Sequence, residues 1–392
     1  MYRILLATTA LVSFTGAAAA DTAAEAADTP TEAAETAPAA PEITWSGAVT
    51  LGYNDEEQVE EGEGVIASAE IAPNLSVELD YGLTAEADVT FTLIDTEGGS
   101  ELIDTDGLTD DFAVDSYTLS LSNETFGLSF GTVAFAPNSM WKSAGDMEAD
   151  GFSEADGETG VLLTGSYGPV MAGVSSVLHN DAYAVGDDGE GKLDQLGVAV
   201  NAELEGVDIS LAYQEEAEYA FDTDVNGDFE PNEILALSVG TTFEGLNVRL
   251  GYASDETADE NSSGIQLGYA IQDVSLGGYF VSESEGDDNW GVSAGYESGP
   301  IAVEAYVTDE QGAYLNGVEG SYAVTDRLIV RAGVIDDEDD ADDGGSYIGG
   351  EYDLGNGASF LVSFADADNE GEDELGAPEY KNGATALLTL EF

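Results

Sequence analysis

From Ile43 onward the chain repeats one pattern, stretches of about ten residues in which apolar residues alternate with small or polar ones. In residues 116–122, Tyr117, Leu119 and Leu121 share one side, and Ser116, Thr118, Ser120 and Ser122 share the other. In residues 195–204 the apolar side is Leu196, Val198, Val200, Ala202 and Leu204, and Val207, Ile209, Leu211 and Tyr213 resume it after Glu205-Gly206. A period of two sends successive side chains to opposite faces of a strand. Glycine, at 48 residues, is too frequent for a helical reading, because it is a poor helix former.

The connections alternate as well. Nine short turns fall near Gly82-Leu83, Glu124-Thr125, Gly168-Pro169, Glu205-Gly206, Glu244-Gly245, Gln272-Asp273, Ser298-Gly299, Thr325-Asp326 and Gly355-Asn356. Between them lie longer acidic loops such as 95–111, 180–194, 255–263, 336–345 and 366–381. Short turns on one rim and long loops on the other describe a transmembrane antiparallel β-barrel with periplasmic turns and extracellular loops. Nine turns, plus pairing of the first and last segments, count to twenty strands. Sixteen and eighteen stay open to the same reading. Tyr81, Tyr167, Phe243, Tyr296, Tyr322 and Tyr352 beside the turns, and Tyr53, Tyr213, Tyr252, Tyr279 and Tyr306 near the loop ends, read as two aromatic girdles. Ala386, Leu388, Leu390 and Phe392 form an apolar stripe to the last residue. An apolar edge of that kind must be paired, so the last strand is expected to meet the first and close the sheet.

Two segments precede the alternation. Arg3, the apolar run 4–17 and Ala18-Ala19-Ala20 have the three parts of a secretory signal over residues 1–20. Residues 21–42 hold Ala, Glu, Asp, Thr and Pro with no aromatic and no branched aliphatic residue, and read as a flexible Ala/Glu/Pro-rich periplasmic leader. The barrel is therefore expected over 43–392. Composition removes several functions. With 81 Asp and Glu against 7 Lys and Arg, the net charge of −74 is incompatible with a nucleic-acid surface. The chain has no cysteine and one histidine, His179, which excludes thiolate zinc sites and cysteine nucleophiles. His179 ends a segment before an acidic loop, and its spacing to any nucleophile identifies no catalytic group, so no enzyme activity is expected.

The signal, the alternating segments, the Gly-Tyr pairs (Gly251-Tyr252, Gly268-Tyr269, Gly278-Tyr279, Gly295-Tyr296) and the terminal Phe392 together resemble Gram-negative general porins, most closely those of alphaproteobacteria such as Rhodobacter. The resemblance covers 43–392. It implies passive diffusion of small hydrophilic solutes, a homotrimer in outer-membrane lipid, and a terminal Phe392 read by the barrel-assembly machinery as an insertion signal. It also implies that the long loop after the fifth strand folds into the lumen as a constriction, with arginines across from its acids. Here that loop is 136–159, with Lys142, Asp146, Glu148, Asp150, Glu154, Asp156 and Glu158; an exterior loop is the alternative. By alternation Arg249, Arg327 and Arg331 point inward, as expected of any charge at mid-bilayer, where an outward arginine would cost about 2–4 kcal/mol. The excess of acids predicts a cation-selective pore.

One loop has its own signal. Asp222, Asp224, Asn226, Asp228, Glu230 and Glu233, with Gly227 at the sixth position, match the oxygen spacing of an EF-hand calcium loop. In so acidic a chain a chance match is the competing explanation. A calcium-binding structural or adhesin barrel without a conducting pore is the alternative to a porin, and a soluble acidic β protein is a third. If the loop binds Ca2+, isothermal titration of the folded protein will show uptake that Asp222→Ala abolishes; equal uptake by both proteins would remove the site.

Overall fold

The structure, a computed structural model, describes residues 41–55, 64–95, 113–155, 158–178, 191–218, 229–337, 344–367 and 374–392. The expected signal, most of the leader, Asp156, His179 and residues 222–228 lie outside these. Twenty strands form one sheet. They are β1 (Glu42–Asn54), β2 (Val65–Glu78), β3 (Thr84–Asp95), β4 (Ala113–Asn123), β5 (Phe126–Thr132), β6 (Thr159–Tyr167), β7 (Val170–Leu178), β8 (Leu193–Leu204), β9 (Val207–Gln214) and β10 (Ile234–Phe243). There follow β11 (Leu246–Asp255), β12 (Glu260–Ile271), β13 (Val274–Glu283), β14 (Asn289–Ser298), β15 (Ile301–Glu310), β16 (Ala313–Thr325), β17 (Leu328–Asp337), β18 (Gly345–Gly355), β19 (Ala358–Ala367) and β20 (Gly383–Glu391).

Every strand runs antiparallel to its neighbours in sequence, and the twenty counted from the turns are all present. The tight turns need backbone that few residues adopt. Glu205 (φ 52°) and Gly206 (φ 85°), like Glu244 (φ 50°) and Gly245 (φ 87°), place two successive residues at positive φ, the geometry that matches the twist of a two-residue hairpin.

The sheet closes on itself. β20 pairs with β1, with Ala48 opposite Glu391, Leu51 opposite Leu388 and Asn54 opposite Thr385. Phe392 and Gly47 exchange N–H···O bonds of 3.1 Å in both directions. A Cβ on Gly47 would stand 2.8 Å from Cζ of the Phe392 ring, so the glycine makes room for the terminal side chain. At the other end of the seam the buried Asn54 amide donates to the Asn382 carbonyl at 2.6 Å and to Thr385 Oγ1 at 2.8 Å.

The two faces of the sheet differ in kind. In β10, Leu235, Leu237 and Val239 are 46%, 43% and 39% exposed, while Ala236 and Ser238 are buried at 0% and 1%. Large apolar groups are outside and small or polar ones inside, the reverse of a water-soluble domain, and that outer band is matched to lipid. At about 4.8 Å between strands and a tilt of about 40°, twenty strands enclose a backbone cylinder about 40 Å across. Side chains cannot fill that width.

The expected girdles hold at the short-turn rim, where Tyr81, Tyr167, Phe243, Tyr296, Tyr322 and Tyr352 are exposed. At the loop rim two tyrosines depart from it. Tyr306 follows the parity of Glu304, not of Val303 and Ala305, and its hydroxyl donates to Glu319 at 3.0 Å. Tyr279 turns inward to pack beside Val281. Val239→Arg, which puts a charge on the lipid face in mid-strand, is expected to cost about 2–4 kcal/mol in urea unfolding from lipid vesicles, whereas Glu304→Arg on the inner face should cost far less.

Candidate functional site

Between β5 and β6 the chain leaves the wall and returns as an out-and-back arm lying on the inner face. It begins with the short helix α1 (Ala136–Met140), opened by Pro137, whose fixed φ suits a first turn. The Ala136 N–H donates to Ser175 Oγ on β7 at 2.9 Å. The Met140 carbonyl accepts from Asn201 on β8 at 2.8 Å, and the Lys142 carbonyl accepts from Ser238 on β10 at 2.6 Å. At the tip, Asn289 of β14 donates to the Asp146 carbonyl at 3.1 Å and to Glu148 Oε1 at 3.2 Å. On the way back the Ala149 N–H donates to Ser262 Oγ of β12 at 3.0 Å, and the Ser153 N–H donates to Gln214 Oε1 of β9 at 2.9 Å. Eleven residues, 136–146, thus cross from β7 to β14, and the next seven return as far as β9.

The wall beneath the arm is built of small residues. A Cβ on Gly197 would meet Pro137 at 2.6 Å, one on Gly251 the Ala144 Cβ at 2.8 Å, and one on Gly264 the Ala144 carbonyl oxygen at 2.3 Å. Ala212, Ala236 and Ala253 lie in the same buried cluster as Met140, Met147 and Phe152. Within the arm, Trp141 packs edge-on against Phe152 with ring centres 6.2 Å apart, and its indole N–H donates to Asp150 Oδ2 at 2.7 Å. The returning limb is locked to the base of the 229–233 segment, where Ser153 Oγ donates to the Glu230 carbonyl at 2.7 Å and Gln195 and Gln214 donate to the same oxygen at 2.6 and 2.9 Å.

Charge is distributed unevenly over the arm. Asp208 of β9 accepts from Lys142 at 2.6 Å and from Arg249 of β11 at 2.8 Å, so one wall carboxylate holds two of the few bases. Arg249 also donates to Ser238 Oγ at 2.9 Å. Among the described residues, no base pairs with the acids at the tip. Burial, with the neighbouring Glu148 carboxylate, pushes Asp146 up to about 6. Burial pushes Asp150 up to about 7, against the hydrogen bonds from Ser143 and Trp141 that favour its ionised form.

Of the acids expected in this loop, Asp146, Glu148 and Asp150 gather near the tip, and Glu154 accepts from Asn138 at 3.0 Å. Glu158 is buried where β6 begins. Arg249 joins the arm; Arg331 stands apart on β17, paired with Glu351 at 3.0 Å. Arg327 is not on a strand. Thr325 Oγ1 accepts from the Arg327 and Leu328 N–H groups at 3.2 and 3.1 Å, and this local turn leaves Arg327 exposed at the short-turn rim, away from the arm. Of the candidate calcium ligands, Glu230 Oε1 accepts from the Asn232 N–H at 3.2 Å and Glu233 accepts from Tyr213 OH at 2.9 Å. Asp208, Asn289, Gln195 and Gln214 hold the arm without having stood out among the many polar residues of the strands.

A family model described as Gram-negative porin matches residues 7–372. Among solved structures, a mutant porin of Rh. blastica is 17% identical, covering 76% of this chain and 100% of its own at a TM-score of 0.44. A loop-deletion mutant of OmpT, an outer membrane protein of Vibrio cholerae, is 13% identical over 90% of this chain and 100% of its own, at a TM-score of 0.39. No curated protein is significantly similar.

Raised carboxyl values fix the sign of a pH effect. The docked arm favours protonated Asp146 and Asp150, so their contribution to docking is fullest below the ordinary value of 3.8 and is withdrawn as pH rises toward about 6 and 7. Hydrogen exchange of arm amides such as Trp141, corrected for intrinsic rates, is expected to show protection falling between about pH 4 and 7 and levelling off above that. Asp150→Asn, which keeps an acceptor for Trp141, should flatten the upper part of that change; an unaltered profile would contradict the assignment.

Proposed function

The chain belongs to the Gram-negative porin family, and we propose that it forms a water-filled, cation-selective outer-membrane pore for passive diffusion of small hydrophilic solutes. No covalent step is involved. The arm 136–155 serves as the constriction, since a cylinder about 40 Å wide would otherwise set little size limit. A trimer, export by the N-terminal signal, and recognition of Phe392 during assembly belong to the same proposal.

The observation that supports the selectivity is the pairing of three of the lumen's bases. Lys142 and Arg249 are both bound to Asp208, and Arg331 to Glu351. Their positive charge is thereby offset locally. Asp146, Glu148 and Glu283 lie together at the arm's tip, and Glu70, Glu86 and Asp88 lie on the inner parity of β2 and β3, opposite in face to Leu75, Ala87 and Val89. A low-dielectric wall around such a surface attracts cations and repels anions.

The rate of swelling of liposomes containing the protein should fall steadily as the test sugar grows larger. Absence of swelling would favour the barrel without a pore. In planar bilayers under a KCl gradient the reversal potential should report potassium preference over chloride, and chloride preference would refute the proposed selectivity.

A further inference from the structure

A second segment also leaves the wall for the lumen. Between β19 and β20, Glu374–Leu375 pairs with Tyr380–Lys381 in a short hairpin, turned by a bond of 2.8 Å from the Glu379 N–H to the Gly376 carbonyl. Leu375 and Tyr380 are 1% and 4% exposed, clustered with Ile335, Tyr347 and Ala365. Those three are inward by parity, alternating with Val334, Ile348 and Phe364, which are exposed. The hairpin therefore lies on the lumen face of β17–β19, just past the sector the arm covers.

Its seat is built for it. Tyr380 and Tyr347 pack edge-on with centres 5.3 Å apart. A Cβ on Gly349 would stand 2.4 Å from the Tyr380 ring, and a Cβ on Gly333 or Gly376 would stand 2.4 or 2.2 Å from the Tyr347 ring. One carboxylate ties the parts together. Glu319 of β16 accepts from the Ala377 N–H at 2.9 Å, from Tyr347 OH at 2.5 Å and from Tyr306 OH at 3.0 Å. Beside the hairpin is a cleft of about 590 Å³ bordered by Glu319, Arg331, Glu351, Ala377, Pro378 and Tyr380.

We propose that the hairpin 374–381 is a second pore-narrowing element, and that Glu319 is the residue that positions it. The lumen is then bounded by the arm over β7–β14, by this hairpin over β16–β19, and by the acidic wall of β2 and β3. Arg331, held by Glu351 under the hairpin, is a basic point of that second edge, with Lys381 on the hairpin itself. The inference rests on the diffusion-pore reading above.

The chain has no cysteine, so a single introduced thiol reports one place. Ala377 is exposed on the hairpin. Ala377→Cys, fully labelled with a bulky water-soluble thiol reagent in open channels, should lower single-channel conductance by about a third or more, because a pore conducts according to its narrowest section. Glu319→Ala should raise conductance and hasten exchange of the Ala377 amide. Glu319→Gln, which keeps an acceptor for Tyr347 and Ala377, should restore both. Wild-type protein that never conducts overturns the pore reading and this inference with it. Wild-type channels that conduct, yet keep their conductance after complete labelling and after Glu319→Ala, overturn this inference alone.

Discussion

Closure of the sheet is the constraint on which everything else depends. A strand's backbone N–H and C=O groups must be paired where no water reaches them, and an open edge in lipid leaves them unmet. The Gly47–Phe392 exchange and the Asn54 amide seal the two ends of the seam. Once closed, the sheet has one face toward lipid and one toward water, and the alternation of residues follows from that geometry. Leu237 and Ser238 are neighbours in sequence, yet one is 43% exposed on the apolar band and the other is 1% exposed beneath the arm.

The inner face then carries the specialised chemistry. A wide cylinder tolerates almost any polar residue on its inner wall, so particular small residues there record what lies on them. Gly197, Gly251 and Gly264 mark the track of the arm, and Gly333 and Gly349 mark the rings beside the hairpin. Among the described residues, single carboxylates, Asp208 and Glu351, pair three of the inner-face bases, Lys142, Arg249 and Arg331.

Much of the fold was legible in the sequence because its signals are local. Alternation fixes the faces, the turn residues fix the count of twenty, and the stripe ending at Phe392 implies a partner strand. The arm's docking was not legible, because its partners are common residues far apart in the chain. Asp208 reads like any of the 81 acids, and Asn289 gives no hint that it lies 143 positions from its partner Asp146. Tyr306 carries two conflicting signals. It is out of phase with Val303 and Ala305, so parity already placed it inside even though tyrosine at a strand end suggests a girdle. Arg327 failed for another reason: the Thr325 hydroxyl bonds two backbone N–H groups and starts the strand one residue later than the apolar pattern suggests.

Alternate accessibility along one strand tests the central claim most directly. Ala87→Cys and Asp88→Cys are adjacent on β3 and take opposite faces. In protein reconstituted into lipid vesicles, a membrane-impermeant charged thiol reagent should modify Asp88→Cys rapidly and leave Ala87→Cys nearly untouched. Fast modification of Ala87→Cys with protection of Asp88→Cys, or protection of both, would contradict a lipid-facing exterior around a water-filled interior.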